Sequence, residues 1–542
     1  MVTSKKNTGR TISRQKKQSQ PHPAANHSSD NVLQCIARIH AYGQPRSFSK
    51  PYRRLEQIKS IGTGVFVDPP RGMQRPGWIF VLTCAHVVDA ADSLKVILPL
   101  VSQEELPART LCFIPRDTYD LAIVAIADPT GSYRAQTARL ALGNSDNLVQ
   151  GERLIAYGFP LGQTGLKVSD GVYSGFQHLL QHTVSISPGN SGGPLVNERQ
   201  ELIGINNSGI VAPEASNIGY AVPIEFYKAA APLLFSRPLE STTAPLDYLH
   251  GRPYRNINKT NPEPSRVLRT PSFGFLFQQA TAALMKQVGA TTGCTNGVYI
   301  YNVLSGSPFE AAGIKAGDVL TAVNGQAIDN QGLVRVNWNH QKVKLESVLQ
   351  RIVDTTILVS FRFWDARAQR CRMVRVMPQD MNINGYMMKY PPYDSLQYIA
   401  FLGMCIMELC KNHRTEISTF KTYVKLNPED LLHSQLIITH VFDGMMLAVT
   451  GALAVGQILT HINNQPVKTL CDARRAFAQP IPIRGTESAI ITVTIQDGRR
   501  FSMSVDDVIQ QEMSVPRSPR VYKLEKAILH TLSKIETTHF KE

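Results

Sequence analysis

A serine sits among glycines in Ser187-Pro188-Gly189-Asn190-Ser191-Gly192-Gly193-Pro194, between two apolar runs. A serine hydroxyl attacks a carbonyl only when a base takes its proton and N–H donors receive the oxyanion. Flanking glycines let the backbone bend tightly and aim its N–H groups at one point. His86 ends the apolar run Val81-Leu82-Thr83-Cys84-Ala85, and Asp120 opens another, Leu121-Ala122-Ile123-Val124-Ala125-Ile126. A histidine base needs a carboxylate to fix its tautomer and stabilise the imidazolium. His86, Asp120 and Ser191 thus supply the residue types of nucleophilic acyl transfer, at separations with room for a few strands between each pair. A plain glycine turn, a structural histidine and a capping aspartate are the alternatives for the three taken singly.

The chain order His, Asp, Ser is that of chymotrypsin-like proteases. Around these residues come Gly62-Thr63-Gly64-Val65-Phe66-Val67, Thr83 to Val88, Asp120 to Val124 and Tyr157-Gly158-Phe159-Pro160-Leu161-Gly162. Pro188 to Val196, Leu202-Ile203-Gly204-Ile205-Asn206 and Ile218 to Ile224 follow. In this order they resemble the landmarks of the HtrA/Deg serine protease family across residues 31–230. The resemblance implies a mainly β chain, with a chymotrypsin/trypsin-like double β-barrel followed by two PDZ-like α+β domains. It implies a serine endopeptidase without cofactor or metal, cleaving unfolded or misfolded polypeptides and assembling as a trimer-based homo-oligomer. Residue by residue it makes His86 the general base, Asp120 the orienting acid and Ser191 the nucleophile. Backbone N–H groups of Gly189 and Ser191, with Asn190 between them, are the implied oxyanion hole. Val87 follows His86, so the disulfide that braces this loop in many secreted relatives is absent, and Cys84 is expected to pack as a small apolar side chain.

In that fold the substrate pocket is walled by the segment before the nucleophile and the strand after it. Ser185 to Ser187 and Gly204 to Asn207 contain no acid, which argues against a preference for Lys or Arg. Ile186, Ile205 and Asn206 suggest a modest apolar pocket for Val, Ile or Leu, unless the isoleucines are core. Tyr42, Phe48 and Tyr52 are candidates for the family's trimer contact, or else surface or core residues.

Beyond Phe226 the pattern changes. Residues 233–265 read as a linker of Pro, Arg, Ser, Thr and Asn. Ser305-Gly306-Ser307-Pro308, Ala312-Gly313 and Gly317-Asp318 then resemble a PDZ domain over 266–380. Such a domain adds an extended peptide to an open sheet edge. Its terminal carboxylate is implied to meet the N–H groups of Phe273, Gly274 and Phe275. The polar stretch from Asn330 to Glu346 is longer than a PDZ core needs. After a linker at 381–394, a fainter copy occupies 395–512, repeating the loop as Phe401-Leu402-Gly403-Met404 but placing Gln457 where Asp318 stands. Peptide binding is not expected to follow from that copy's sequence. Residues 513–542 carry Val521, Leu524, Ile528, Leu532 and Ile535 at helical spacing, the stripe of an amphipathic helix that docks on the second copy or on another subunit.

The 542 residues allow more than two domains, and 43% hydrophobic content suffices for ordinary cores. Cys35, Cys84, Cys112, Cys294, Cys371, Cys405, Cys410 and Cys471 form no metal-like spacing and read as free thiols of a reducing compartment. Residues 1–30 are basic, hydroxyl-rich and without an apolar core, fitting a disordered tail, a transit segment or a weak nuclear signal rather than a secretory leader. An intracellular location is therefore expected: cytoplasm, nucleus or an organelle. No apolar run approaches a membrane span. The net charge of +15 permits polyanion contact, but the basic residues are dispersed and no nucleic-acid-binding motif is present. Two rival functions stand beside the broad protease: a peptide-binding chaperone or scaffold with a latent protease, and a dedicated processing protease.

Overall fold

The computed structural model describes residues 32–212, 215–238, 266–290, 294–379, 386–391, 393–424, 433–486, 488–514 and 525–538. The basic tail, most of the linker at 233–265, and Val521 and Leu524 of the C-terminal stripe lie outside them.

Twelve strands close into two barrels. The first takes β1 (Ile36–Gly43), β2 (Ile58–Val67), β3 (Trp78–Thr83), β4 (Ser93–Leu98), β5 (Ser102–Ile114) and β6 (Leu121–Ala127), in the order β1-β2-β3-β6-β5-β4. The second takes β7 (Arg153–Gly158), β8 (Lys167–Phe176), β9 (Leu180–His182), β10 (Pro194–Asn197), β11 (Leu202–Ala212) and β12 (Ala215–Pro223), in the order β10-β11-β12-β9-β8-β7. A barrel strand ordinarily alternates, one face in and one face out. β6 does not: Leu121 to Ile126 are all buried. The reason is a second cover outside the barrel. The helix Ile224–Leu234 packs there, with Phe226 against Tyr119 (ring centroids 4.5 Å apart), and Phe235 just after it meets Phe80 at 5.1 Å.

The chain beyond the barrels adds to the same cover. Val267 bridges Phe113 of β5, with Phe113 N–H donating to Arg266 O (2.9 Å) and Leu268 N–H to Phe113 O (2.8 Å). Tyr390 and Tyr393 set their rings edge-on to Phe113, at 5.5 and 5.1 Å.

The next sheet takes β13 (Phe275–Gln279), β14 (Val298–Val303), β15 (Val319–Val323), β19 (Val359–Asp365) and β20 (Arg370–Val376) in that order, with β16 (Gln326–Ala327) beside β15. The long polar stretch after Asn330 has a use. It folds as the hairpin β17 (Leu333–Val334) and β18 (Val343–Lys344), whose tip carries Trp338 to Phe176 of the second barrel (5.7 Å, edge-on). Arg351 lies 3.5 Å over the Trp338 ring and grips Asp146 through two hydrogen bonds (3.0 and 2.6 Å). A cavity of about 370 Å³ opens beside this junction, lined by Asp146, Tyr173, Phe176, Trp338 and Arg351, away from His86 and Ser191.

The last sheet takes β21 (Ile399–Phe401), β22 (Met404–Glu408), β23 (Leu436–Val441), β24 (Ile458–Ile462), β27 (Ala489–Ile495) and β26 (Ile481–Pro482) in that order. β25 (Gln465–Pro466) joins β24, and β28 (Arg500–Ser504) joins β27. Ile528 and Leu532 of the C-terminal helix Lys526–Thr538 are buried in this module's core. The amphipathic stripe thus docks within its own chain.

Two expectations are corrected. Phe48 is buried against Met407, Leu409 and Ile437 of the last module, and Tyr52 packs on Phe442 (5.4 Å), so both aromatics are consumed inside the chain rather than offered to a second copy. Tyr42 instead donates to Glu105 (3.2 Å). Glu416 completes the junction, accepting from Phe48 N–H (2.7 Å), Ser49 N–H and the Ser47 hydroxyl (both 3.2 Å). The cysteines are not all thiols either: Cys294 and Cys371 form a disulfide linking the segment before β14 to β20. Scattered spacing hid a pair that only the sheet brings together.

Two histidines are fully enclosed. Burial pushes His182 and His413 down to about 4, so each stays neutral in the fold. In the unfolded chain a histidine takes up its proton near pH 6.5. Protons therefore favour the unfolded state below about pH 6.5, and the loss grows until the folded values near 4 are reached. The thermal unfolding midpoint should fall between pH 7.5 and pH 5, with each histidine contributing about 1–2 kcal/mol over that interval. A midpoint unchanged across the range would contradict this.

Candidate active site

The site lies where the two barrels meet. Cys84 ends the approach from β3, and the short helix Ala85–Val88 carries His86. Asp120 occupies the residue before β6 with φ of 54°, a left-handed conformation that short polar side chains tolerate. It is 3% exposed. Its Oδ1 accepts the backbone N–H of His86 (2.9 Å), and its Oδ2 lies 2.6 Å from His86 Nδ1. Burial works to raise the Asp120 carboxyl, but the hydrogen bond and the charge of His86 outweigh it and hold the group below its ordinary value. The carboxylate accepts, so Nδ1 carries the ring proton and Nε2 is left with a lone pair.

Ser191 lies in the loop before β10. Two glycines there are imposed by space. Gly189 has φ of 100°, and a Cβ would stand 2.3 Å from Phe159 O; at Gly192, with φ of 85°, it would stand 2.0 Å from Thr83 Oγ1. Pro188 O accepts the N–H of Leu161 (2.6 Å), which fixes the plane of the 188–189 peptide and turns the Gly189 N–H to the opposite side. Among the described residues, neither the Gly189 nor the Ser191 N–H donates to a protein acceptor, whereas Asn190 N–H closes a turn on Ser187 O (3.0 Å). The Asn190 side chain is buried against Gly158. The N–H groups of Gly189 and Ser191 are thus left without a protein acceptor among the described residues, and Asn190 shapes the turn between them.

Two residues that matter here were not singled out in the sequence. Asn207 donates its amide N–H to Asp120 Oδ2 (2.6 Å), and its carbonyl accepts the Ser191 hydroxyl (3.1 Å). Thr63 of β2 donates its N–H to Ser191 O (2.9 Å) and its hydroxyl to Gly189 O (2.7 Å), and accepts Phe159 N–H (3.1 Å). Both stand inside quoted landmarks. What singles them out is the pairing register: it shifts between Asn206 and Ser208, a bulge that turns Asn207 toward Asp120.

Burial corrects the pocket. Ile205 has no exposed surface and belongs to the core under the first barrel. Asn206 is equally enclosed, donating from Nδ2 to Pro194 O (3.2 Å) and bracing Gly192 and Gly193 through its backbone. Ile186 alone keeps some surface, at 7%, and lies directly against the exposed Gly209, where a Cβ would stand 3.3 Å from Ile186 Cβ.

Cys84, His86 and Asp120 hold potential metal-ligand atoms within 4.8 Å of one another. They do not fit a metal: burial pushes the Cys84 thiol well up, it donates to Asn206 O (3.2 Å), and the other two bond each other. At the first module, Phe273 is core beside Phe361 (4.8 Å), and Phe275 opens β13 and stacks on Phe309 (4.3 Å). Gly274 has φ of 74°, and its N–H donates to the Ser272 hydroxyl (3.0 Å).

Residues 62–205 match the trypsin-like peptidase domain and residues 271–351 the PDZ domain. The chain carries a trypsin-like peptidase domain followed by a PDZ domain. It is 31% identical over 290 residues to the serine protease Do-like HtrA of Bacillus subtilis, covering 51% of this chain and 56% of that one. It is 28% identical over 292 residues to the periplasmic serine endoprotease DegP of Escherichia coli K12, covering 52% of each. The chain thus spans just over half the length of these curated serine proteases. Among solved structures, the HtrA-type protease AlgW with decapeptide is 20% identical with a TM-score of 0.42, covering 65% of this chain and 96% of that one. The expected intracellular location is corrected by these relatives, since DegP is periplasmic. The thiol pattern behind that expectation fails as well, at Cys294–Cys371.

Asn207→Ala removes one charge-assisted hydrogen bond to Asp120, worth about 1.5–3 kcal/mol. We expect kcat for peptide hydrolysis to fall ~10–100-fold with KM little changed, while Asp120→Asn, which imposes the wrong tautomer, lowers it about 10⁴-fold. Steady-state kinetics on one peptide substrate reads both; equal losses for the two variants would overturn the assignment of Asn207 as an aid to Asp120.

Proposed function

We propose that the chain is a serine endopeptidase of HtrA type that cleaves unfolded or misfolded polypeptides, with its PDZ module holding exposed peptide ends near the active site. The observation that carries this reading is the buried Asp120 bonded to His86 Nδ1, beside Ser191 with the unengaged N–H groups of Gly189 and Ser191. Rotation about the Ser191 Cα–Cβ bond moves the hydroxyl from Asn207 O to His86 Nε2. His86 then takes the proton as Oγ attacks the substrate carbonyl, and the oxyanion is received by the two N–H groups. The protonated imidazole, steadied by Asp120, gives its proton to the leaving amine. Water, deprotonated by the same histidine, next releases the acyl group from Ser191.

Cleft residues support this substrate class. Ser185 to Ser187 and Gly204 to Gly209 carry no acid, and Ile186 keeps a little apolar surface beside Gly209, as suits small aliphatic side chains that folded proteins hide. Self-association through Phe48 and Tyr52 is not part of the reading, because the last module covers both.

A second reading has one observation in its favour. The resting Ser191 hydroxyl is bonded to Asn207 O, and no hydrogen bond to His86 is present among the described residues, as suits a scaffold whose protease is latent. Degradation of casein by the full chain, beside Ser191→Ala, separates the two. Cleavage abolished in the variant is the expected outcome. Binding without cleavage by either form would establish the latent scaffold instead.

A further inference from the structure

The two PDZ-like sheets treat their recognition strands differently. In the first, β13 pairs with β14 on one side, and among the described residues no strand pairs with its outer edge. The segment before it turns away, Ser272 bridging Gln379 near the end of β20. Pro271 has no N–H to give a neighbouring strand, so this segment is poorly suited to lie along β13. Phe275, Leu276 and Phe277 are half-buried, and Gln278 and Gln279 are exposed.

In the second module the equivalent strand is β22, and it has no free edge. β23 lies on one side and β21 on the other, with Ile399 opposite Ile406, Ala400 opposite Cys405 and Phe401 opposite Met404. The connection is Leu402-Gly403, with φ of 56° and 73°, the positive pair that a tight two-residue hairpin requires. β21 also touches the flanking helix Leu470–Phe477: Phe401 meets Phe477 edge-on at 5.0 Å, and Arg474 donates to Tyr398 O (3.3 Å). Ile399, Ala400, Phe401, Leu402, Met404, Cys405 and Ile406 have no exposed surface. The turn itself is roofed, Gly403 by Met445, whose neighbour Met446 is held by Gln511 (2.9 Å).

A peptide adding to a sheet edge beside a helix would lie where β21 lies, antiparallel to β22, with its C-terminal end at the Leu402–Gly403 loop. We infer that residues Tyr398–Phe401 of this chain are the permanent occupant of the second module's peptide groove. Peptide ends are therefore received once per chain, on β13. The second module instead braces the molecule, with its outer face on Phe48 and Tyr52 and Glu416 holding the 47–49 backbone. The inference rests on reading 395–512 as a PDZ-like copy, and its occupant is a segment whose partners are all in place.

The test is hydrogen exchange on the full chain carrying Ser191→Ala, with and without a fluorescein-labelled decapeptide ending in Val-Ile. Without peptide, amides of 400–407 should exchange at least ~10-fold more slowly than those of 276–279. With peptide, added protection should fall on 273–279 alone, at one site per chain by fluorescence titration. Exchange at 400–407 as fast as at 276–279, or peptide protection at 402–407, would overturn the inference. If no peptide binds, the PDZ reading of the first module fails, while the peptide-free comparison still decides whether β21 fills the groove.

Discussion

The junction between the two barrels is held by one buried threonine. Ser191 belongs to the second barrel and His86 to the first, so acyl transfer requires the barrels to hold register to within a fraction of an ångström. Thr63 sets that register. Its N–H and hydroxyl secure two carbonyls of the nucleophile loop, its oxygen accepts from Phe159, and its own carbonyl receives the Thr83 hydroxyl at 2.7 Å. With no exposed surface, its polar groups have no water to fall back on, and a lost partner would leave a desolvated donor or acceptor. Gly192 is glycine because this network needs the space a Cβ would fill.

The appended modules are part of the same packing problem. Arg351, clamped between Trp338 and Asp146, ties the first PDZ module to the second barrel. Glu416, taking three donors from residues 47–49, ties the last module to the first barrel. Each junction joins a charged group to an aromatic contact, so each is specific in orientation as well as apolar in substance.

The residues of the acyl-transfer centre were legible because their types are rare in such settings: a serine among glycines, a histidine and an aspartate at the ends of apolar runs. The barrels were implied by the family resemblance of the landmarks around those runs, and the strand order bears them out. Asn207 was hidden because strand alternation fails at a bulge, and Ile205 and Asn206 were misplaced because packing encloses both faces of the strand just before it. Thr63 was hidden because a threonine's hydrogen bonds depend on chain 100 residues and more away. Cys294 and Cys371 were misread, and Phe48 and Tyr52 left open between interface and core, for the same reason: aromatic and thiol side chains show what they can do, and the tertiary fold decides with whom. The hairpin at 333–344 looked like surplus length until Trp338 had a surface to meet.

Strand β5 bears one further consequence. Phe113 is covered by Val267 and by the rings of Tyr390 and Tyr393, and the Tyr393 hydroxyl reaches Val88 O at 3.0 Å, at the end of the helix that holds His86. The wall behind the helix that carries His86 is thus built from chain that leaves the ribosome long after Ser191 has emerged. During synthesis this wall is completed late, and a nascent chain stopped before residue 390 lacks the Tyr390 and Tyr393 cover on Phe113. Topology alone defers completion of this wall until the first PDZ module has been made.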